Sequence, residues 1–463
     1  MSLKSLFSAK DMTLGSPWKR ILEFSVPMLL GNIAQQLYNT ADTVIVGIYV
    51  GDNALSAVGS ASPILNLLLA LFVGIATGAG IVISQSFGAR DREGLSKNVG
   101  NCITLTVLAT IFIMVFGPLI TRPMLNLLDT PASIIDWCTE YLNIFFWGCA
   151  GFFFYNMLSG VLRGLGDSVS ALGFLLLAAV LNVLLDLVFV AGFDMGVPGV
   201  ALATVIAQGI SAVFCFIKLM RMGDIFDLNR STIRFDKAIS GRIIQIGVPS
   251  GVTQAIMACS MMVVQSLTNS MGEMVIAANV IIMRVDGFAM MPNFSFGQAM
   301  SVYTGQNVGA GKWDRVQSGV RQGSGIAQAF AVAITVVLLF LNKYLFAIFT
   351  ETTALIDLAG GMMRIMAVGY IAVSITQVLG GVMRGAGDTV TPMWISIITT
   401  VAMRIPVAYI LAYFTRSAEY PHGHPYSLSI SLLICWTMGM VLSVIAFRLG
   451  KVRKTMLAEM AKK

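Results

Sequence analysis

The sequence predicts an all-α polytopic membrane protein: twelve transmembrane helices in two six-helix bundles, related by a pseudo-two-fold axis along the membrane normal. Three observations carry this. The 463 residues are 56% apolar and only 11% charged, whereas a soluble chain carries roughly one-quarter charge. The apolar residues gather into runs near the about 20 residues that cross a hydrocarbon core. Motifs of the first half also recur in the second at nearly one spacing. The expected spans are 21-46, 54-86, 96-118, 134-161, 168-192, 197-220, 241-269, 274-307, 316-341, 358-382, 389-414 and 427-449.

Basic residues set the orientation. Alternate connections hold Arg90, Arg92 and Lys97; Arg163; Lys218, Arg221, Arg230, Arg234, Lys237 and Arg242; Lys312, Arg315 and Arg321; and Arg384. Both ends of the chain are basic too, from Lys4, Lys10, Lys19 and Arg20 to Arg448, Lys451, Arg453, Lys454, Lys462 and Lys463. The opposite connections carry Arg122, Lys343, Arg364 and Arg416 beside acids such as Asp52, Asp129, Asp136 and Asp357. Positive charge stays inside, so both termini are expected in the cytoplasm and the span count is even. The net charge of +7 is spent on topology; with no basic face, no nucleic-acid partner is expected.

The first apolar run, about Ile21 to Val50, is too long for a cleaved signal peptide and lacks its small-residue site. The leader Ser2 to Arg20, with Leu3, Leu6, Phe7 and Trp18 among lysines, fits either a segment along the headgroups or a disordered one. Six cysteines lie singly and both histidines share His422-Gly-His424, so no disulfide framework and no CxxC or HExxH site is expected. The histidine pair reads as a solvated turn or as a metal clamp in an outer loop. Gly309-Ala-Gly-Lys312 resembles the end of a phosphate-binding loop, but Trp313 stands where Ser or Thr must hold magnesium. Without a nucleotide site, uphill transport has to draw on an ion gradient, and no cofactor is expected.

The repeat is explicit. Leu158-Ser-Gly-Val-Leu-Arg-Gly-Leu-Gly-Asp167 matches Leu379-Gly-Gly-Val-Met-Arg-Gly-Ala-Gly-Asp388 at an offset of 221, Gln85-Ser-Phe-Gly-Ala89 matches Gln306-Asn-Val-Gly-Ala310 at the same offset, and Val26-Pro27 matches Val248-Pro249 at 222. Six spans per repeat is an even number, so both halves enter the membrane in the same orientation. The expected division is an N-lobe 1-220, a linker 221-240 and a C-lobe 241-463. The two Arg-Gly-x-Gly-Asp turns read as structural devices or as gates.

Charges inside spans are costly and therefore functional candidates. Asp42, Asp186, Arg284, Asp286 and Arg404 qualify. Asp186 follows Asn182 by one helical turn, on one face; Asp42 lies toward the outer end of span one, and Thr204 on span six can add a hydroxyl. Such oxygens suit a proton or sodium ion, or a permanently bonded helix tether. Two carboxylates in one dry pocket cannot both stay charged cheaply, so a proton or cation is expected to neutralise the pair. Loading then changes local charge and can drive a conformational change. At offsets of 221 to 222, Asn182 faces Met403 and Asp186 faces Val407, so the acidic set belongs to the first half.

Pro27 removes a backbone donor from span one, as a packing kink or as an ion-sensitive hinge. Arg284 and Asp286, two apart, point to different faces, and Arg404 is a candidate partner for Asp286. They form a buried structural pair or serve substrate. Nine of the 28 methionines lie between Met257 and Met300, among them Met261, Met283 and Met290; they are helix filler or an adaptable cavity wall. The aromatics Phe145-Phe146-Trp147 and Phe152 to Tyr155 likewise pack or offer cation–π contacts.

The duplicated halves, Val26-Pro27, Asn39-Thr-Ala-Asp42-Thr-Val-Ile-Val-Gly47, Leu181-Asn-Val-Leu-Leu-Asp186, Gly199-Val-Ala-Leu-Ala-Thr204 and both Arg-Gly-x-Gly-Asp turns together resemble a multidrug and toxic compound extrusion (MATE) transporter over nearly the whole chain. The resemblance implies an N-lobe and a C-lobe around a V-shaped cavity, and export of organic cations and amphipathic drugs in exchange for H⁺ or Na⁺. It implies a cation site of Asp42, Asn182, Asp186 and Thr204, with Tyr38, Tyr141 and Asn156 as neighbours. Some relatives place cation-binding acids in spans seven and ten; here those spans hold no interior acid. The expectation is a monomeric antiporter in the lipid bilayer of the cell membrane. The alternative is a lipid-linked precursor flippase or a dedicated metabolite exporter of the same plan; few interior positions are cationic, against a flippase for an anionic lipid. Neither an enzyme's assembled nucleophile or metal set nor a channel's repeated polar filter is visible in the sequence.

Overall fold

The computed structural model describes residues 8–128 and 130–462, and all side chains within them except those of residues 52, 53, 55 and 63. Leu3, Lys4, Leu6, Phe7, Asp129, Lys463 and the side chain of Asp52 thus lie outside the described residues. In lipid every backbone N–H and C=O must be bonded internally, and a helix does this within one segment. The helices are α1 Pro17–Tyr49, α2 Asp52–Gly88, α3 Arg92–Leu127, α4 Ile135–Trp147, α5 Cys149–Gly164, α6 Ser168–Asp186, α7 Gly196–Met220, α8 Lys237–Ser270, α9 Glu273–Gly309, α10 Trp313–Ala347, α11 Thr353–Gly385, α12 Val390–Ile397, α13 Arg404–Phe414, α14 Tyr426–Leu449 and α15 Lys451–Ala461. Ten stretches are long and apolar enough to cross a membrane, and α4 with α5, bent by 53°, makes an eleventh. Helix α1, at 33 residues, is long enough for a twelfth. Each expected span falls on one of these stretches.

Two π-helical turns interrupt the pattern. Leu187–Gly192 continues α6 directly after Asp186, and Ile398–Met403 joins α12 to α13 directly before Arg404. A π turn closes i→i+5 bonds and so takes up one more residue than an α turn.

The Arg-Gly-x-Gly-Asp turns are helix starts. Asp167 accepts from Ser170 N at 2.9 Å and Ser170 Oγ at 2.6 Å, capping α6. Asp388 accepts from Thr391 N at 3.1 Å and Thr391 Oγ1 at 2.8 Å. Gly166 and Gly387, at φ +84 and +94, supply the left-handed residue that ends the preceding helix. Lys312, of the phosphate-loop lookalike, donates to Thr13 O at 3.0 Å and so anchors chain to chain. His424 accepts from Tyr426 N at 3.2 Å and packs between Tyr420 and Tyr426; no cluster of three metal-ligating side chains exists among the described residues.

Two compact units make up the chain: Met1–Asp11 with Leu30–Gly251, and Met12–Leu29 with Val252–Lys463. These limits differ from lobes cut at the linker, because packing rather than loop position draws them. The start of α8 belongs to the first unit, where Ile243 and Ile246 share a core with Phe72, Ala76 and Leu158. There α8 meets α2 backbone to backbone: a Cβ on Gly78 would stand 2.6 Å from Gly247 Cα. In the second unit Ile21, Phe24 and Met28 of α1 pack with Phe296, Met300 and Val378. Both helices change unit two residues after a proline, Pro27 in α1 and Pro249 in α8.

Of the aromatic run, Phe145, Phe146, Phe153 and Tyr155 are buried, and Phe153 stacks on Phe72 with centroids 4.0 Å apart. Packing is their use. Trp147 remains exposed.

Candidate functional site

In the first unit, four helices bring their polar side chains to one place. Helix α1 supplies Tyr38 and Asp42, one turn apart, and α6 supplies Asn182 and Asp186 at the same spacing, both fully buried. Helix α7 adds Thr204 and α4 adds the buried Tyr141. With its amide oriented to satisfy both ends, Asn182 donates to Asp186 Oδ2 at 2.9 Å and accepts from Thr204 N and Oγ1, each at 3.2 Å. The Tyr38 hydroxyl lies close enough to the Thr204 side chain to act on it.

The carboxyl oxygens of Asp42 and Asp186 lie within hydrogen-bonding reach of each other. Two ionised carboxylates have no proton to share, so this geometry calls for a proton or a cation between them. Oδ1 of Asp42 and Oδ1 of Asp186 are both buried with no hydrogen-bond partner among the described residues, which leaves lone pairs for an incoming ion. No arginine or lysine is among the groups acting on either acid. Tyr141 is near enough for the charges of both acids to act on it. The amide of Asn156 donates to Phe152 O of its own helix at 2.9 Å.

In the second unit, Arg284 is exposed and Asp286 is half-buried, as two residues on different faces of α9 should be. Arg404 does not bond Asp286. The Asp286 partner is instead Tyr370 of α11, whose hydroxyl donates to Oδ1 at 2.5 Å, while Arg404 on α13 acts on the carboxylate at longer range. Tyr370 carried no signal in the sequence, where a lone tyrosine among small apolar residues reads as core. Met261 and Met283 are exposed and Met257 and Met290 half-buried; beside them stands an amide set, with Gln265 donating to Asn269 at 2.8 Å and Asn279 to Gln265 at 3.3 Å.

An internally duplicated, multi-pass helical membrane protein with a carboxyl pair facing each other inside one of its units is the class so defined. The chain belongs to the MatE family, whose model matches residues 27–188 and again residues 249–410. It is similar to the probable multidrug resistance protein YoeA of Bacillus subtilis (strain 168), at 27% identity over 430 residues, 91% of this chain and 93% of that protein. A second relative, the probable multidrug resistance protein YpnP of the same organism, is 29% identical over 399 residues, 86% of this chain and 89% of that one. In fold it resembles the outward-facing conformation of a multidrug resistance MATE family transporter of the MOP superfamily, with a TM-score of 0.87 at 23% identity, over 98% of this chain and 99% of that one.

Each end of the second MatE match lies 222 residues beyond that of the first, whereas Asp167 and Asp388 stand 221 apart.

Proposed function

We propose that this protein is a secondary-active multidrug efflux antiporter of the cytoplasmic membrane, both termini inside, exporting cationic and amphipathic compounds in exchange for H⁺ or Na⁺. The observation that carries the reading is the pairing of half-buried Asp42 with fully buried Asp186, without a cationic partner. Asn182 and Thr204 orient Asp186, and Tyr38 and Tyr141 complete the oxygen set. A charge at the centre of a span costs about 2.5 to 3.5 kcal/mol on insertion scales, so gaining or losing one ion at this pair can decide between two arrangements of similar energy. Loading from outside favours one arrangement of the lobes, and substrate entering from the cytoplasm favours the other. Pro27, two residues before α1 changes unit, is the hinge in this scheme. Methionines 257, 261, 283 and 290, with Arg284 and Asp286, line the substrate path. The names of the Bacillus relatives support the substrate class.

The experiment is purified protein in liposomes loaded with a fluorescent organic cation, comparing an imposed pH gradient with an imposed sodium gradient. One of the two must drive uptake or release against the dye gradient. If neither does, the antiport reading fails.

A further inference from the structure

The second unit carries a polar cluster of its own, in Arg404 of α13, Asp286 of α9 and Tyr370 of α11. Arg404 opens α13 directly after the π turn Ile398–Met403, a local geometry frequent at functional sites. Its Nε is buried and finds no hydrogen-bond partner among the described residues, and none of the ion pairs among them includes it. The acid close enough to act on it, Asp286, is held instead by the Tyr370 hydroxyl. Tyr370 is backed by the half-buried Trp436, with ring centroids 5.4 Å apart.

A guanidinium left inside a span with donors unspent needs water or an anion to complete it. Its planar fork of N–H groups matches the paired oxygens of a carboxylate, as it does those of a phosphate. We propose that Arg404 receives the carboxylate of an amphipathic substrate, with Asp286 and Tyr370 beside it to take a positive or hydrogen-bonding group of the same molecule. Cargo of this second site is then zwitterionic, whereas the site at Asp42 and Asp186 takes only the coupling ion. The proposal rests on the export reading for the statement that the bound molecule is cargo.

Equilibrium binding without any gradient tests it separately from transport. Two probes suffice, a rhodamine with a free carboxylate and its ethyl ester, measured by fluorescence polarisation on the purified full chain. The readout is the ratio of the two affinities. Arg404→Gln lowers the carboxylate preference by about tenfold or more, as loss of a charged hydrogen-bond donor does, and Arg404→Lys restores part of it. An unchanged ratio overturns the proposal. Should Arg404→Gln fail to fold, the wild-type protein decides: an excess of a small aromatic carboxylate displaces the carboxylate probe and its amide analogue does not. Equal displacement by both, or by neither, overturns it. A dye that moves under neither gradient in liposomes counts against antiport alone.

Discussion

Asp42 of α1 and Asp186 of α6 present their carboxyls to each other in a pocket that offers neither of them a cation. Such a pair is stable only when something positive is shared, which makes its occupancy a variable that the rest of the molecule can sense.

Removing either charge ends that dependence. Asp42→Asn and Asp186→Asn are each expected to abolish gradient-driven efflux in liposomes while the protein still elutes as a single folded species on size exclusion. Normal efflux by both variants would refute the coupling role.

The amide of Asn182 ties Asp186 to Thr204. Asn182→Ala leaves a buried carboxyl oxygen without its donor, at a cost of about 1 to 3 kcal/mol. The expected result is a lower thermal unfolding midpoint together with a weaker apparent affinity for the coupling ion. Thr204→Val, which keeps the shape and removes the hydroxyl, is expected to shift the ion affinity in the same direction and the midpoint less. A midpoint drop with unchanged ion dependence would make Asn182 a tether only.

Close packing of α2 on α8 depends on glycine. At Gly78 an added Cβ meets the Gly247 backbone at 2.6 Å, and a backbone cannot swing aside as a side chain does. Gly78→Ala is expected to destabilise the first unit by about 1 to 3 kcal/mol, visible as a lowered unfolding midpoint in detergent. Gly59→Ala, where nothing lies within 4 Å, is the control and should leave the midpoint in place.

The linker is clamped by Arg92, whose guanidinium donates to Asp227 Oδ1 and Oδ2, both at 2.9 Å, and to Asp224 O at 3.0 Å. The hydrogen bonds from Arg92 hold the Asp227 carboxyl below its usual range. The clamp is therefore complete above the ordinary carboxylate range and is lost as pH falls through the lowered value. At neutral pH, Arg92→Ala is expected to speed tryptic cleavage after Arg221, Arg230 and Arg234. Cleavage at the wild-type rate would show that the linker is held elsewhere.

The span plan was legible because lipid leaves only one way to satisfy a backbone, so each apolar run had to be a helix and the loop charges had to sort by side. Asn182 and Asp186 were legible as a pair because one helical turn puts them on one face. Other relations depended on contacts between distant segments, which periodicity does not encode. Tyr370 as the partner of Asp286 and the share of α1 and α8 in each unit were decided by which helices pack together. The π turn directly before Arg404 is likewise a backbone choice with no signature in composition. Local chemistry thus settled which residues could carry charge into the membrane, and packing settled which of them meet and which, like Arg404, are left with hydrogen bonds to give.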